Sequence, residues 1–169
     1  MSKNNIIFIT GTDTGVGKTL ITSLLLQQLL ADGLNVTAVK PIETGCKKSK
    51  GELIPADGKV YQKLLHEKIE LIVPYRYQLA VAPIVAAKKE KRTISIEKIK
   101  KLILEKAKNH SLVLVEGAGG LLVPITEDYS FADLAKDLQA KCLVVVGSRL
   151  GAINQALLTF EVLKNRKIK

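Results

Sequence analysis

The stretch Thr10-Gly11-Thr12-Asp13-Thr14-Gly15-Val16-Gly17-Lys18-Thr19 constrains this chain more than any other. It follows the apolar run Ile6-Ile7-Phe8-Ile9 and precedes an apolar-periodic stretch from Leu20, so it reads as a strand, a glycine loop and a helix start. Backbone amides freed by Gly15 and Gly17 can curl around an anion, and the helix N-terminus adds partial positive charge. Lys18 reaches the outer phosphates, and the Thr19 hydroxyl is offered to Mg²⁺. The spacing departs from the usual G-x-x-x-x-G-K-[ST], because Thr12 stands where the first glycine is expected and Gly11 precedes it. The other reading is a tight glycine turn with a solvated lysine. It is weaker, since a first-turn lysine opposes the helix dipole unless an anion compensates it.

Runs nearly continuous in Val, Ile and Leu at residues 5–10, 35–40, 112–116 and 142–147 predict strands buried on both faces. Helical patterns over 18–32, 56–67, 96–109, 131–138 and 152–165 separate them, the first closing at Gly33. This alternation predicts an α/β fold, a parallel sheet with helices on both faces. Ligands then gather at the carboxyl ends of the strands, where the segments 11–17, 41–55, 117–129 and 148–151 leave the sheet. Lys47-Lys48-Ser49-Lys50-Gly51 reads as a mobile loop tip. The sequence stops after a helix, where a further strand normally begins, so residues 1–169 are expected to form a single nucleotide-binding domain, incomplete at the C-terminus and lacking the C-terminal strands.

The 169 residues suit one continuous core, and the net charge of +10 raises the question of nucleic acid. Of 26 basic residues 22 are lysines, scattered along helical faces, and with 4% aromatics no basic stretch is interleaved with stacking rings, so solvated faces explain the charge and no nucleic-acid partner is expected. No apolar run approaches the roughly 20 residues of a membrane span, and Met1-Ser2-Lys3-Asn4-Asn5 carries no signal-peptide pattern, which predicts no membrane partner and a cytoplasmic location. Cys46 and Cys142 lack ligand or disulfide spacing and read as reduced bystanders; His66 and His110 read as surface or capping residues.

The second strand ends Val39-Lys40-Pro41-Ile42-Glu43-Thr44-Gly45. A lysine closing a buried strand is costly unless its ammonium meets an anion, so Lys40 either flanks the same phosphates as Lys18 or snorkels past the sheet edge. Thr44 and Gly45 form a turn able to hold a substrate. The third strand ends Val115-Glu116-Gly117-Ala118-Gly119, apolar residues closing in a carboxylate that can meet Mg²⁺ directly or through water. Asp57, at a loop-to-helix junction, is a candidate third ligand or a residue placed against the helix dipole.

Taken together, G-T-D-T-G-V-G-K-T, V-K-P-I-E-T-G, the Asp57 junction, V-E-G-A-G-G and G-S-R-L-G-A-I-N resemble the dethiobiotin synthetase family, P-loop NTPases that close a ureido ring at the expense of ATP. The likeness runs from Ile6 to about Asn165. It implies a P-loop NTPase-like sheet, with 7,8-diaminononanoate, CO₂ and ATP as substrates and Mg²⁺ as cofactor. Gly15, Val16, Gly17, Lys18, Thr19 and Leu20 would hold the triphosphate. Asp57, Glu116, Gly117, Ala118 and Gly119 would complete the nucleotide site, while Thr19, Asp57 and Glu116 place the metal. Lys40 and Lys18 would be catalytic, and Thr14 and Thr44 would contact the diamine. The family is homodimeric, so Gly151, Ala152, Ile153 and Asn154 would receive the substrate carboxylate from a neighbouring subunit. Gly15 stands where the family often has an acidic residue. Rival readings are a cobyric acid synthase-type ATPase domain, a partitioning-type ATPase, whose signature lysine is replaced here by Asp13, and an inactive truncated fragment.

Overall fold

A computed structural model describes residues 5–169 of the chain; the residues 1–4 read above for a signal pattern lie outside it. The strand β1 (Ile6–Gly11) leads through the glycine loop into α1 (Lys18–Ala31), followed by β2 (Val36–Val39) and the short β3 (Ile42–Glu43). A hairpin of β4 (Lys47–Ser49) and β5 (Glu52–Ile54) precedes α2 (Ala56–Leu65), α3 (Ile69–Ile72) and β6 (Tyr75–Arg76). Then come α4 (Pro83–Lys89), α5 (Ile96–Asn109), β7 (Leu112–Glu116), β8 (Pro124–Thr126), β9 (Tyr129–Ser130), α6 (Phe131–Asp137), β10 (Lys141–Val145) and α7 (Ala152–Asn165). The central sheet is parallel, in the order β10-β1-β7-β2, with Phe8 level with Cys142 on one side and Val115 on the other.

Two cores follow from the alternation of side chains along buried strands. Phe8, Val113 and Val115 pack with Ile99 and Ile103 of α5 and with Phe131 and Leu134 of α6. Ile9 and Leu114, pointing the other way, pack with Leu26 of α1, Tyr61 of α2 and Ile72 of α3. The expected arrangement, a parallel sheet with helices on both faces, is therefore the one observed. Helix starts are locally encoded. Ser95 accepts from the Lys98 amide at the head of α5, and Ser130 and Asp133 form a reciprocal capping box at α6.

The structure corrects several boundaries. The second central strand stops at Val39, because the Lys40 amide leaves the sheet ladder and donates to the Ile72 carbonyl at 2.8 Å. The last central strand is 141–145 and not 142–147. The segment 47–51, read as a loop tip, is part of a hairpin: Lys47–Ser49 pairs antiparallel with Glu52–Ile54, and Lys50 and Gly51 turn the chain at φ 49° and 87°, the left-handed conformation that a tight two-residue hairpin needs. The short helices α3 and α4 and the pairs β3–β6 and β8–β9 escaped the sequence reading, being too short to show a period. His66 and His110 are the C-caps of α2 and α5. Cys46 is buried and Cys142 half-buried, and burial pushes both thiols up to about 11, which keeps them unreactive.

Helix α2 enters the fold through a close approach at Gly58, where an added Cβ would lie 2.3 Å from the Val73 Cγ2. At so short an approach Gly58→Ala should cost about 2–3 kcal/mol in overpacking, against about 1 kcal/mol gained in helix propensity. A fall in melting temperature of roughly 2–6 °C is expected, measured by thermal unfolding. An unchanged or higher value would show that Val73 moves aside freely.

Candidate active site

The carboxyl ends of β1, β2 and β7 open onto one cleft of about 570 Å³. Its lining includes Thr14, Gly15, Gly17, Lys18, Thr19 and Leu20 from the glycine loop and the start of α1. Lys40, Glu43, Thr44 and Asp57 come from the segment after β2, and Glu116, Ala118 and Gly119 from the end of β7. Ala80, Val81, Ala82, Pro83 and Val123 form an apolar wall opposite.

The glycine loop takes its shape from backbone that only glycine adopts without strain: Gly15 and Gly17 sit at φ 75° and 99°. Gly11 serves a different need, since a Cβ there would lie 2.6 Å from the Val16 Cγ2. Position 11 therefore calls for glycine: Val16 folds back over the end of β1, and its side chain does not line the cleft. Lys18 is 6% exposed and its ammonium donates to the Asp13 carbonyl at 2.8 Å, inside the loop. Burial pulls the Lys18 ammonium below its ordinary value, with Glu116 acting in the opposite direction and Lys40 reinforcing the drop.

Glu116, 1% exposed, is the centre of the polar floor. Its Oε1 accepts from the Thr19 hydroxyl at 2.9 Å and from the Lys40 ammonium at 2.9 Å, while its Oε2 accepts from the Tyr61 phenol. Lys40 also pairs with Asp57. Of the two readings open for Lys40, the structure excludes the snorkel: the side chain stays buried, between two carboxylates. Burial works to lower the Lys40 ammonium, but Glu116 and Asp57 prevail and hold it above its usual value. Asp57 lies in the first turn of α2, favourable against the dipole as well as paired with Lys40.

Two residues of the site were not singled out from the sequence. Glu43, within the K-P-I-E-T-G run, accepts from the amides of Asp57 at 3.1 Å and Gly58 at 3.0 Å, so a strand residue caps a helix that has no side-chain cap of its own. Burial raises its carboxyl, and Lys40 and the two amides pull against that rise. Tyr61 is the second, one helical turn beyond Asp57. Its only sequence signal was a shared helix face, legible once Asp57 was given a role.

The remaining candidates lie apart. Gly117 fits against the Phe8 ring, where an added Cβ would lie 3.2 Å from it, and does not line the cleft. Gly151, Ala152, Ile153 and Asn154 open α7 outside the cleft, and Ile153 is 80% exposed. Arg149, just before them, pairs with Asp13 of the glycine loop.

Asp57 and Glu116 both meet the Lys40 ammonium and the Thr19 hydroxyl donates to Glu116, so three hard oxygen donors border one part of the cleft, a chemistry that suits Mg²⁺. Among the described residues no three His, Cys, Asp or Glu enclose a metal unaided. Such a donor set fits a cation that completes its shell with phosphate oxygens and water.

A family model described as an AAA domain matches residues 5–169. The ATP-dependent dethiobiotin synthetase BioD of Thermodesulfovibrio yellowstonii is 41% identical over 170 residues, covering 95% of this chain and 71% of the relative. The chain belongs to the dethiobiotin synthetase family. Members in Aquifex aeolicus and an Anaeromyxobacter species are 41% and 43% identical, covering 91% and 95% of this chain and 68% and 71% of theirs. Solved structures similar to it include a ParA family ATPase from Chlorobium tepidum, with a TM-score of 0.55 at 16% identity, covering 96% of this chain and 69% of that one. The signal recognition particle receptor FtsY of Elizabethkingia anophelis aligns at a TM-score of 0.54 and 15% identity, over 96% of this chain and 48% of that one. Likeness at such identities concerns the fold alone, which is the P-loop NTPase fold. No helix among the described residues is long and apolar enough to cross a membrane.

The charged Lys18 costs stability in this family member while no anion is bound. With its folded value held below the unfolded one, Lys18 binds its proton more weakly in the fold, so stability falls as pH drops below the unfolded value and the penalty is present at neutral pH. Lys18→Met should leave the melting temperature of the ligand-free chain equal or higher, and remove most of the stabilisation that ATP confers. A lower ligand-free melting temperature would overturn this account of Lys18.

Proposed function

We propose that this chain catalyses the Mg-ATP-driven carboxylation and ring closure of 7,8-diaminononanoate with CO₂, giving dethiobiotin, ADP and phosphate. The observation that carries the reading is the buried Lys40, paired with Asp57 and Glu116 on the floor of the cleft rimmed by the glycine loop, in a chain 41% identical to a dethiobiotin synthetase.

The amides of Gly15 to Thr19 and the Lys18 ammonium bind the triphosphate, Lys18 exchanging the Asp13 carbonyl for a phosphate oxygen. Gly15, Val16, Gly17, Leu20, Ala118 and Gly119 would contribute backbone at close range, while Gly117, packed on the Phe8 ring, supports their turn from outside the cleft. Thr19, Asp57 and Glu116 would hold Mg²⁺, which would neutralise charge on the phosphates. One amine of the substrate adds to CO₂ and loses a proton, forming a carbamate. A carbamate oxygen attacks the γ-phosphorus and ADP leaves. The second amine then attacks the carbamoyl carbon, the ring closes and phosphate departs. Negative charge accumulates on the transferring oxygens, and Lys40 and Lys18 are preorganised cations beside that position. No protein nucleophile takes part.

Thr14 and Thr44 border the same cleft and would orient the diamine, while Val81, Pro83 and Val123 suit its methylene chain. The substrate carboxylate would be received by the α7 start, Gly151 to Asn154, of a second copy. Exposed Leu150, Ile153, Leu157, Leu158 and Phe160 support such pairing, since an apolar surface of this extent favours burial against a partner.

The test is phosphate release and ureido product from the purified chain with diaminononanoate, bicarbonate and MgATP; the absence of both would refute the reading. Lys40→Ala should lower turnover by about 10²-fold or more while ATP binding persists. Turnover within a few-fold of the unaltered chain would remove Lys40 from the mechanism.

Shared sites make a further outcome measurable. Mixing Lys40→Ala and Asn154→Ala chains should restore activity through mixed dimers carrying one intact site. Absence of restoration despite proven subunit exchange would reject the proposal that α7 serves its neighbour.

A further inference from the structure

Tyr61 is fully buried, packed in the core formed by α1, α2 and α3, and does not line the cleft. It has no path to substrate or nucleotide. A buried phenol needs a hydrogen-bond partner, and any backbone carbonyl would serve. Here the partner is the Oε2 of Glu116, the carboxylate whose Oε1 meets Thr19 and Lys40 at the cleft floor.

The two oxygens of Glu116 are thereby made unequal. Oε1 stands among the groups of the cleft, and Oε2 is committed to a donor behind it. Asp57 and Tyr61 lie four residues apart on α2, so one helix face supplies both the carboxylate that pairs with Lys40 and the phenol that orients Glu116. We infer that Tyr61 is a positioning residue that restricts Glu116 to one-oxygen ligation through Oε1 and so sets the preference of the site for Mg²⁺ over Ca²⁺. Mg²⁺ demands compact octahedral geometry, whereas Ca²⁺ takes more oxygens and accepts carboxylates through both. Holding back Oε2 denies Ca²⁺ the ligand it would gain.

The inference rests on the Mg-nucleotide reading of the cleft, and its test separates the two. Calorimetric titration of the full chain with a non-hydrolysable ATP analogue, in Mg²⁺, in Ca²⁺ and without metal, gives the ratio of Ca²⁺- to Mg²⁺-supported dissociation constants. Tyr61→Phe keeps the ring and removes the hydroxyl. It should shrink that ratio by about threefold to tenfold, the worth of one such hydrogen bond, and leave metal-free binding unchanged. An unchanged ratio with binding intact overturns the role of Tyr61 alone. Analogue binding by the unaltered chain that no metal improves overturns the metal reading and this inference with it.

Should Tyr61→Phe fail to fold, the unaltered chain carries the test by infrared difference spectroscopy on metal loading. A wide separation of the carboxylate stretches, the mark of one-oxygen ligation, is expected with Mg²⁺. The narrow separation of two-oxygen ligation would overturn the inference.

Discussion

A buried ammonium between two carboxylates organises the polar half of this molecule. Lys40, Glu116 and Asp57 come from the end of β2, the end of β7 and the first turn of α2, and Lys40 and Glu116 are 5% and 1% exposed. Taking such charges out of water is expensive, and losing one partner leaves the others uncompensated at a cost of about 3–5 kcal/mol. The cluster therefore ties the three segments to one another at the floor of the cleft.

The surrounding elements are placed to satisfy it. Glu43 in β3 caps the amides of Asp57 and Gly58, which fixes α2 to the segment leaving β2. Tyr61, one turn later, reaches Glu116, and Thr19 at the head of α1 reaches it from the other side. Lys18 alone among these cations lacks a carboxylate partner in hydrogen-bond contact, settling for the Asp13 carbonyl. That asymmetry separates an ammonium locked between two carboxylates from one whose partner is a neutral carbonyl at the rim of the cleft.

The same chemistry recurs elsewhere with a different meaning. Lys106 of α5 is buried against Glu67 and the Thr37 hydroxyl of β2. The cluster lies outside the cleft and ties a helix to the sheet. Burial and pairing of a lysine thus do not identify a functional residue; position at the carboxyl end of a parallel strand, beside an anion-binding loop, is the added information.

The sequence alone determined the features that are local in the chain. The glycine loop, the buried strands, the carboxylate closing β7 and the lysine following β2 are all written within a few consecutive residues, because backbone conformation and side-chain period are short-range properties. Strand ends and short elements went astray where long-range bonds decide: the Lys40 amide goes to Ile72, and Ile42–Glu43 becomes a strand only through pairing with Tyr75–Arg76. Tertiary structure decided between the alternatives left open for Lys40, gave Asp57 a partner, and supplied Glu43 and Tyr61. Their roles could not be read along the chain, since each consists in a contact with a residue on another element, and only the packing of α2 against the sheet brings those groups within hydrogen-bond reach.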